Sequence, residues 1–379
     1  MTRKGVWDLQ EVRDKYLESE WVQYNKAFIV GNGTNGTSGL NNNADHSSPI
    51  QLPGQWNVVL FEEQNGFHAM GVRADNTLWT WGSNSYGQLG VNKSQPTLEG
   101  VSSPTQVPGS WKSGFGEITC SRRFCGAIKT DGTLWMWGVN QYATLGLNDT
   151  NFRSSPTQVP GTWTRISGGN NNSAGIKDNG ELYLWGFGAW SGYGPNKNTR
   201  SSPYQIPGTW SEVCCSKDQI LATKTDGTLW SWGKNDNGQL GQNNLTHYSS
   251  PRQVGTNTNW KYIGRAGQDP AIWATNTAGE LYTWGKGESG CTGHNYQYGD
   301  ESSPKQLPGT NWSVGAVNCA DRSMAFTKTD GTAWAWGENG NGNLGQNDTA
   351  NRSSPVQIPG TWLDGEAMGN TSLYKQALD

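Results

Sequence analysis

Apolar positions in this chain fall in short runs broken by turn residues, and the same four runs return about every fifty residues. The first run opens on tryptophan, as in Trp163-Thr164-Arg165-Ile166; the second ends in Lys-Thr-Asp-Gly, as from Ala127 to Gly132. The third reads Thr-Leu-Trp-x-Trp-Gly, as from Thr228 to Gly233, and the fourth Ser-Ser-Pro-x-Gln-x-Pro-Gly, as from Ser201 to Gly208. Asp-Gly and Pro-Gly favour tight turns, so they predict chain reversals between the runs. Four short antiparallel strands per repeat is the build of a propeller blade. The paired aromatics of the third run, Trp79 and Trp81 or Trp230 and Trp232, are expected to lie on opposite faces of the blade, so that both faces are buried.

Counting the repeats fixes the expected architecture. The Ser-Ser-Pro prolines are Pro49, Pro104, Pro156, Pro203, Pro251, Pro304 and Pro355; the matching Trp-Gly tryptophans are Trp81, Trp137, Trp185, Trp232, Trp284 and Trp336, with Val30-Gly31 in the remaining place. After Trp362 the chain has room for two strands only, and the two missing ones stand at the other end, in Lys26 to Gly31 and Ser47 to Gly54. The expectation is an all-β, seven-bladed propeller over residues 24–379, its closing blade made of 24–53 plus 362–379. The other blades cover approximately 54–108, 109–160, 161–207, 208–255, 256–308 and 309–361.

Composition suits this reading: 52 Gly and 21 Trp in 379 residues, with 16% charged side chains. A net charge of −3 gives no footprint for nucleic acid or an anionic membrane, so neither partner is expected. No apolar run reaches membrane-spanning length, which predicts synthesis in the cytoplasm without membrane insertion. Six Cys without C-x-x-C spacing and four scattered His predict no zinc site and no cofactor. Cys120, Cys215 and Cys319 take one slot in three repeats where others carry Gly168 and Gly267, so that slot is expected to demand a small side chain.

The pattern Asp-Gly-Thr-Leu-Trp-x-Trp-Gly-x-Asn-x-x-Gly-Gln-Leu-Gly, from Asp226 to Gly241 and nearly so from Asp75 to Gly90 and Asp330 to Gly345, resembles the repeat of the regulator of chromosome condensation family. The resemblance implies a seven-bladed propeller with small residues crowding a central shaft. It does not by itself imply the founding member's nucleotide exchange on a small GTPase. The longest interval between Trp-Gly pairs, Trp81 to Trp137, leaves little room for an inserted wedge.

Residues 1–23 break the repeat. Asp8-Leu9-Gln10-Glu11 reads as a capping box, and Leu9, Val12 and Tyr16 line one side of a short helix flanked by Trp7 and Trp21. The opening Gly5-Val6-Trp7-Asp8-Leu9 is similar to N-terminal segments of tailed-phage virion proteins, which implies a docking segment.

Strand parity gathers the variable loops on one propeller face, where binding residues are expected. The turns between first and second strands bring Asn65, Arg122, Arg123, Asn171, Lys217, Asp218, Asp269, Asp321 and Arg322; outer loops bring Tyr86, Tyr142, Trp190, Tyr193, Tyr248 and Tyr296. No nucleophile elbow, phosphate loop or metal-ligand spacing occurs, so no catalytic residue is named. The sequence reads as a non-catalytic interaction propeller, a structural, decoration or host-adsorption component of a tailed phage virion. Its partners would be other virion proteins or a host surface protein or glycan. Alternatives are a free-standing inhibitor or effector that uses the variable face, and a guanine-nucleotide exchange factor; the oligomeric state is left open.

Overall fold

The computed structural model describes residues 26–376 except 32, 45, 63–67, 93–99, 188–198, 217, 267–270, 313–321, 341, 343, 361–363 and 369–370. Trp7, Leu9, Val12, Tyr16, Trp21 and Cys319 therefore lie outside the described residues.

The chain is an all-β propeller whose described helical structure is two single 3₁₀ turns, Thr34–Gly36 and Glu288–Gly290. The regular sheets run from a first strand through antiparallel neighbours taken in chain order, as in Trp56–Phe61, His68–Arg73, Leu78–Gly82 and Val101–Val107. Trp210–Cys215 to Tyr248–Gln253 and Trp260–Ala266 to Glu301–Gln306 repeat the arrangement, and Ser323–Thr327, Ala333–Gly337 and Arg352–Ile358 form three strands of another sheet. A seven-stranded sheet runs in chain order from Ile118–Ser121 to Arg200–Ile206, and the sixth sheet joins the two ends of the described chain. Its order is His46–Leu52, Lys26–Gly31, Thr371–Gln376, Asp364–Met368, with Phe28 opposite Tyr374 and Ile29 opposite Leu373.

Two expectations change. Pro160-Gly161 does not break the chain: Arg153–Gly168 is one 16-residue strand whose first part pairs with Thr133–Gly138 and whose last part pairs with Asn172–Lys177. This Pro-Gly step is therefore extended where the sequence predicts a tight turn, and it links two blades at the expected boundary; Pro53-Gly54 does separate His46–Leu52 from Trp56–Phe61. The paired aromatics of the third strand also share one face, as alternate residues of an extended strand must. Trp230 and Trp232 both pack on Trp210, with ring centroids 6.3 and 6.0 Å away. The other face is buried by Leu and a small residue, Leu229 and Ser231 here. Of the pair, Trp232 is wholly buried and Trp230 half-buried, its outer ring face covered by the Lys224 ammonium at 3.8 Å.

Two recurring bonds tie one blade to the next. In five repeats the buried indole donates to a loop carbonyl of the preceding blade: Trp81 to Thr37, Trp137 to Gln88, Trp185 to Thr144, Trp284 to Gln239 and Trp336 to Cys291, at 2.8–3.0 Å. A left-handed Asn in the same loop sends its backbone N–H forward to the first Ser of the next Ser-Ser-Pro, as from Asn92 to Ser154 (2.9 Å) and from Asn243 to Ser302 (2.7 Å). Asn tolerates that backbone region because its short polar side chain bonds locally. The repeat consensus therefore encodes contacts between blades as much as the blades themselves.

Candidate functional site

First strands crowd the shaft. Leu60, Cys120, Gly168, Cys215 and Gly264 line a central cavity of about 100 Å³ that Trp273 and Arg265 help to fill. Around it the N–H of Gly168 donates to Thr119 Oγ1 and that of Cys215 to Ser167 Oγ, both at 2.9 Å, while Arg265 Nε reaches the Cys215 carbonyl at 2.7 Å. A Cβ on Gly168 would meet Ser121 Oγ at 2.1 Å, which gives that one glycine a steric cause; the same register position holds Phe61 and Arg265 in two other blades, so the slot does not demand a small side chain in every repeat. Burial pushes the Cys215 thiol well up, consistent with a packing residue.

On the variable face, the turn between Ile118–Ser121 and Phe124–Ile128 presents Arg122 and Arg123. These two line a cleft of about 80 Å³ with Gln141, Tyr142, Asn170 and Asn171. Arg123 lies over the Tyr86 ring at 4.6 Å, and Tyr142 meets Phe187 edge-on at 5.7 Å; both rings of the latter pair are 37% exposed. Asn170 is 8% exposed and its Oδ1 has no hydrogen-bond partner. The cleft thus offers guanidinium donors, with two exposed aromatic edges, those of Tyr142 in its wall and Phe187 against it.

The other expected residues divide. Arg322 is held by Glu288 (3.1 Å) and Glu338 (3.9 Å). Tyr248 accepts from Asn244 Nδ2 at 3.2 Å and carries Arg252 over its ring; Tyr296 bonds Glu301 within its own loop, and burial with that bond pushes its hydroxyl up. Asp218 contributes its backbone carbonyl to the Lys234 N–H. Arg322 is tied to the Glu288–Gly290 turn of the preceding blade, the other three bond close to their own loops, and none of the four lines the arginine cleft. Asn65, Lys217, Asp269, Asp321, Trp190 and Tyr193 lie outside the described residues. Phe187 and Gln141 escaped the sequence reading; an aromatic directly after the Trp185-Gly186 pair, where other repeats carry Ser83, Val139 or Lys234, was the available signal.

A second grouping was also not legible. His68, Cys120 and Cys125 are all buried, and their ligand-type atoms lie within 4.8 Å of one another. Burial alone would raise the Cys125 thiol, but hydrogen bonding with Cys120 and the adjacent His68 outweigh it and bring it to about 6.

An RCC1-like domain model matches residues 26–373. The chain belongs to the RCC1-like family. Among curated relatives, this RCC1-like chain is 25% identical over 347 residues to the ultraviolet-B receptor UVR8 of Arabidopsis thaliana, covering 88% of this chain and 78% of the receptor. It is 28% identical over 116 residues to the human E3 ubiquitin-protein ligase HERC2, but spans only 2% of that protein. Among solved structures, yeast RCC1 (Prp20), crystallised with Kap60, superposes with a TM-score of 0.78 at 17% identity, covering 94% of this chain and 90% of Prp20.

Proposed function

We propose that this RCC1-like chain is a non-catalytic interaction module: a ring of seven blades, one completed by strands from both ends, that seats a protein partner on the face carrying Arg122, Arg123 and Tyr142. The arginine cleft carries this reading. At about 80 Å³ it is far below the ~300–1,000 Å³ of a small-molecule pocket. Arg and exposed aromatic edges, by contrast, are the groups that anchor protein interfaces.

The proposed setting is a tailed phage particle, with residues 1–23 attaching the chain to another virion protein and the cleft face left free for a further protein. Residues Trp7, Leu9, Val12, Tyr16 and Trp21 support that part of the reading by sequence alone. Two measurements test it. The chain should co-purify with capsid or tail proteins at fixed stoichiometry and lose incorporation when residues 1–22 are removed; absence from purified particles contradicts the virion setting. With the partner in hand, Arg122→Ala with Tyr142→Ala should weaken binding by about 30-fold or more, each anchor contributing at least ~1 kcal/mol. Unchanged binding, or accelerated nucleotide release from a small GTPase in place of stable capture, contradicts the interaction reading.

A further inference from the structure

We propose that His68, Cys120 and Cys125 form a binding site for a thiolate-preferring metal ion of the zinc class, placed between two blades at the edge of the shaft. Cys120 and Cys125 stand directly opposite each other across the hairpin Ile118–Ser121/Phe124–Ile128. His68 opens the second strand of the preceding blade and brings Nε2 to 3.3 Å from Cys125 Sγ. All three ligand atoms lie within 4.8 Å of one another. Zinc bound at ~2.3 Å to sulfur and ~2.0 Å to nitrogen with tetrahedral angles needs about 3.8 Å between sulfurs and about 3.6 Å from sulfur to nitrogen. Small side-chain adjustments reach that geometry.

Three further observations favour a ligand role. His68 and Cys125 are 0% exposed, so the imidazole meets the thiols away from water, where an ion would be held without competition. Cys120 also lines the shaft cavity, which gives an entry path and leaves room for a fourth, exogenous ligand. The repeats supply an internal comparison. In the place of His68 they carry Phe124, Asn172, Gln219, Ala271 and Ser323, and in the place of Cys125 they carry Ala69, Ser173, Ile220, Ile272 and Met324. Among the described residues, this interface alone unites three such ligands. Two thiolates and a neutral imidazole favour zinc or copper(I) over magnesium or calcium. Binding deprotonates the two thiols, and their protons pass to solvent.

The test uses the full chain, reduced and stripped of metal by a chelator, titrated with Zn²⁺ and, as a spectroscopic probe, with Co²⁺. The expected result is one ion per chain, a tetrahedral Co²⁺ spectrum with a thiolate charge-transfer band, and a melting temperature raised by Zn²⁺. Cys125→Ser and His68→Gln should each weaken binding by more than about 100-fold, beyond the ~10–100-fold that follows loss of a supporting hydrogen bond. Cys215→Ser, on the same shaft without a histidine, should bind like the wild type. No stoichiometric binding by the folded wild type would overturn the proposal, whatever the variants do. So would Zn²⁺ affinity unchanged by Cys125→Ser, or a Cys120–Cys125 disulfide in a protein that takes up no metal after reduction.

Discussion

Gly90 shows how one atom's absence serves the whole repeat. It sits at φ +67° at the end of the Gly-Gln-Leu-Gly loop, and a Cβ there would lie 2.8 Å from Nε1 of Trp137, the indole that bonds back to the Gln88 carbonyl. Gly146, Gly241 and Gly293 repeat the relation to Trp185, Trp284 and Trp336. Backbone strain and crowding can be separated because Gly255 has a similar φ of +60° with nothing within 4 Å of a built Cβ. Gly255→Ala should cost about 1 kcal/mol, the left-handed penalty alone. Gly90→Ala should cost about 2–4 kcal/mol, since a clash against a packed indole is added. Urea unfolding of the two variants measures the difference; equal costs would mean that the loop yields and the close approach of Trp137 is unimportant.

Among elements, the hairpin between second and third strands is the most legible from sequence. Asp131 Oδ1 accepts from the Thr133 N–H (2.9 Å) and hydroxyl (2.6 Å), and Thr133 Oγ1 in turn accepts from Trp135 Nε1 at 2.9 Å. The same relay runs through Asp75, Asp226 and Asp330, which explains the Asp-Gly-Thr-Leu-Trp spelling. The Thr hydroxyl chiefly holds Asp131, Asp226 and Asp330 below the ordinary carboxylate value of 3.8. A depressed folded-state value means that the contribution is present above the unfolded-state value and is lost as pH falls through the folded one. Between about pH 5 and about pH 3, the melting temperature of the wild type should fall further than that of a triple Asp→Asn variant at these positions. An identical acid profile would show that the relays add nothing.

The same element scale explains what the sequence withheld. Turn dipeptides and a repeating aromatic report on residues close in the chain, so strands and hairpins could be read directly, whereas the shaft slot, which takes Phe61 and Arg265 as well as Cys120, Gly168 and Cys215, could not. The arginine turn was legible for the same reason as the hairpins, whereas Phe187 reaches Tyr142 only because two blades stand side by side. His68 and Cys125 are 57 positions apart and meet across a blade interface, so ligand spacing along the chain carried no trace of them.

At the scale of the whole molecule, the account rests on one pairing: Lys26–Gly31 lies between His46–Leu52 and Thr371–Gln376 and hydrogen-bonds to both, so the two ends of the chain meet in a single sheet. Ala27 and Ile29 of that strand are buried in a cluster with Leu52 of the same sheet and with Trp56 and Trp81 of the neighbouring sheet. If this pairing closes the ring, the N-terminal extension is dispensable for folding and the strand after it is not. Thermal melts of chains lacking residues 1–22 and residues 1–31 put the two side by side. The first should melt within about 2 °C of the full chain, and the second should lose more than about 10 °C, the scale of several kcal/mol in a protein of this size. Equal melting of the two truncations would contradict a ring closed by its own ends.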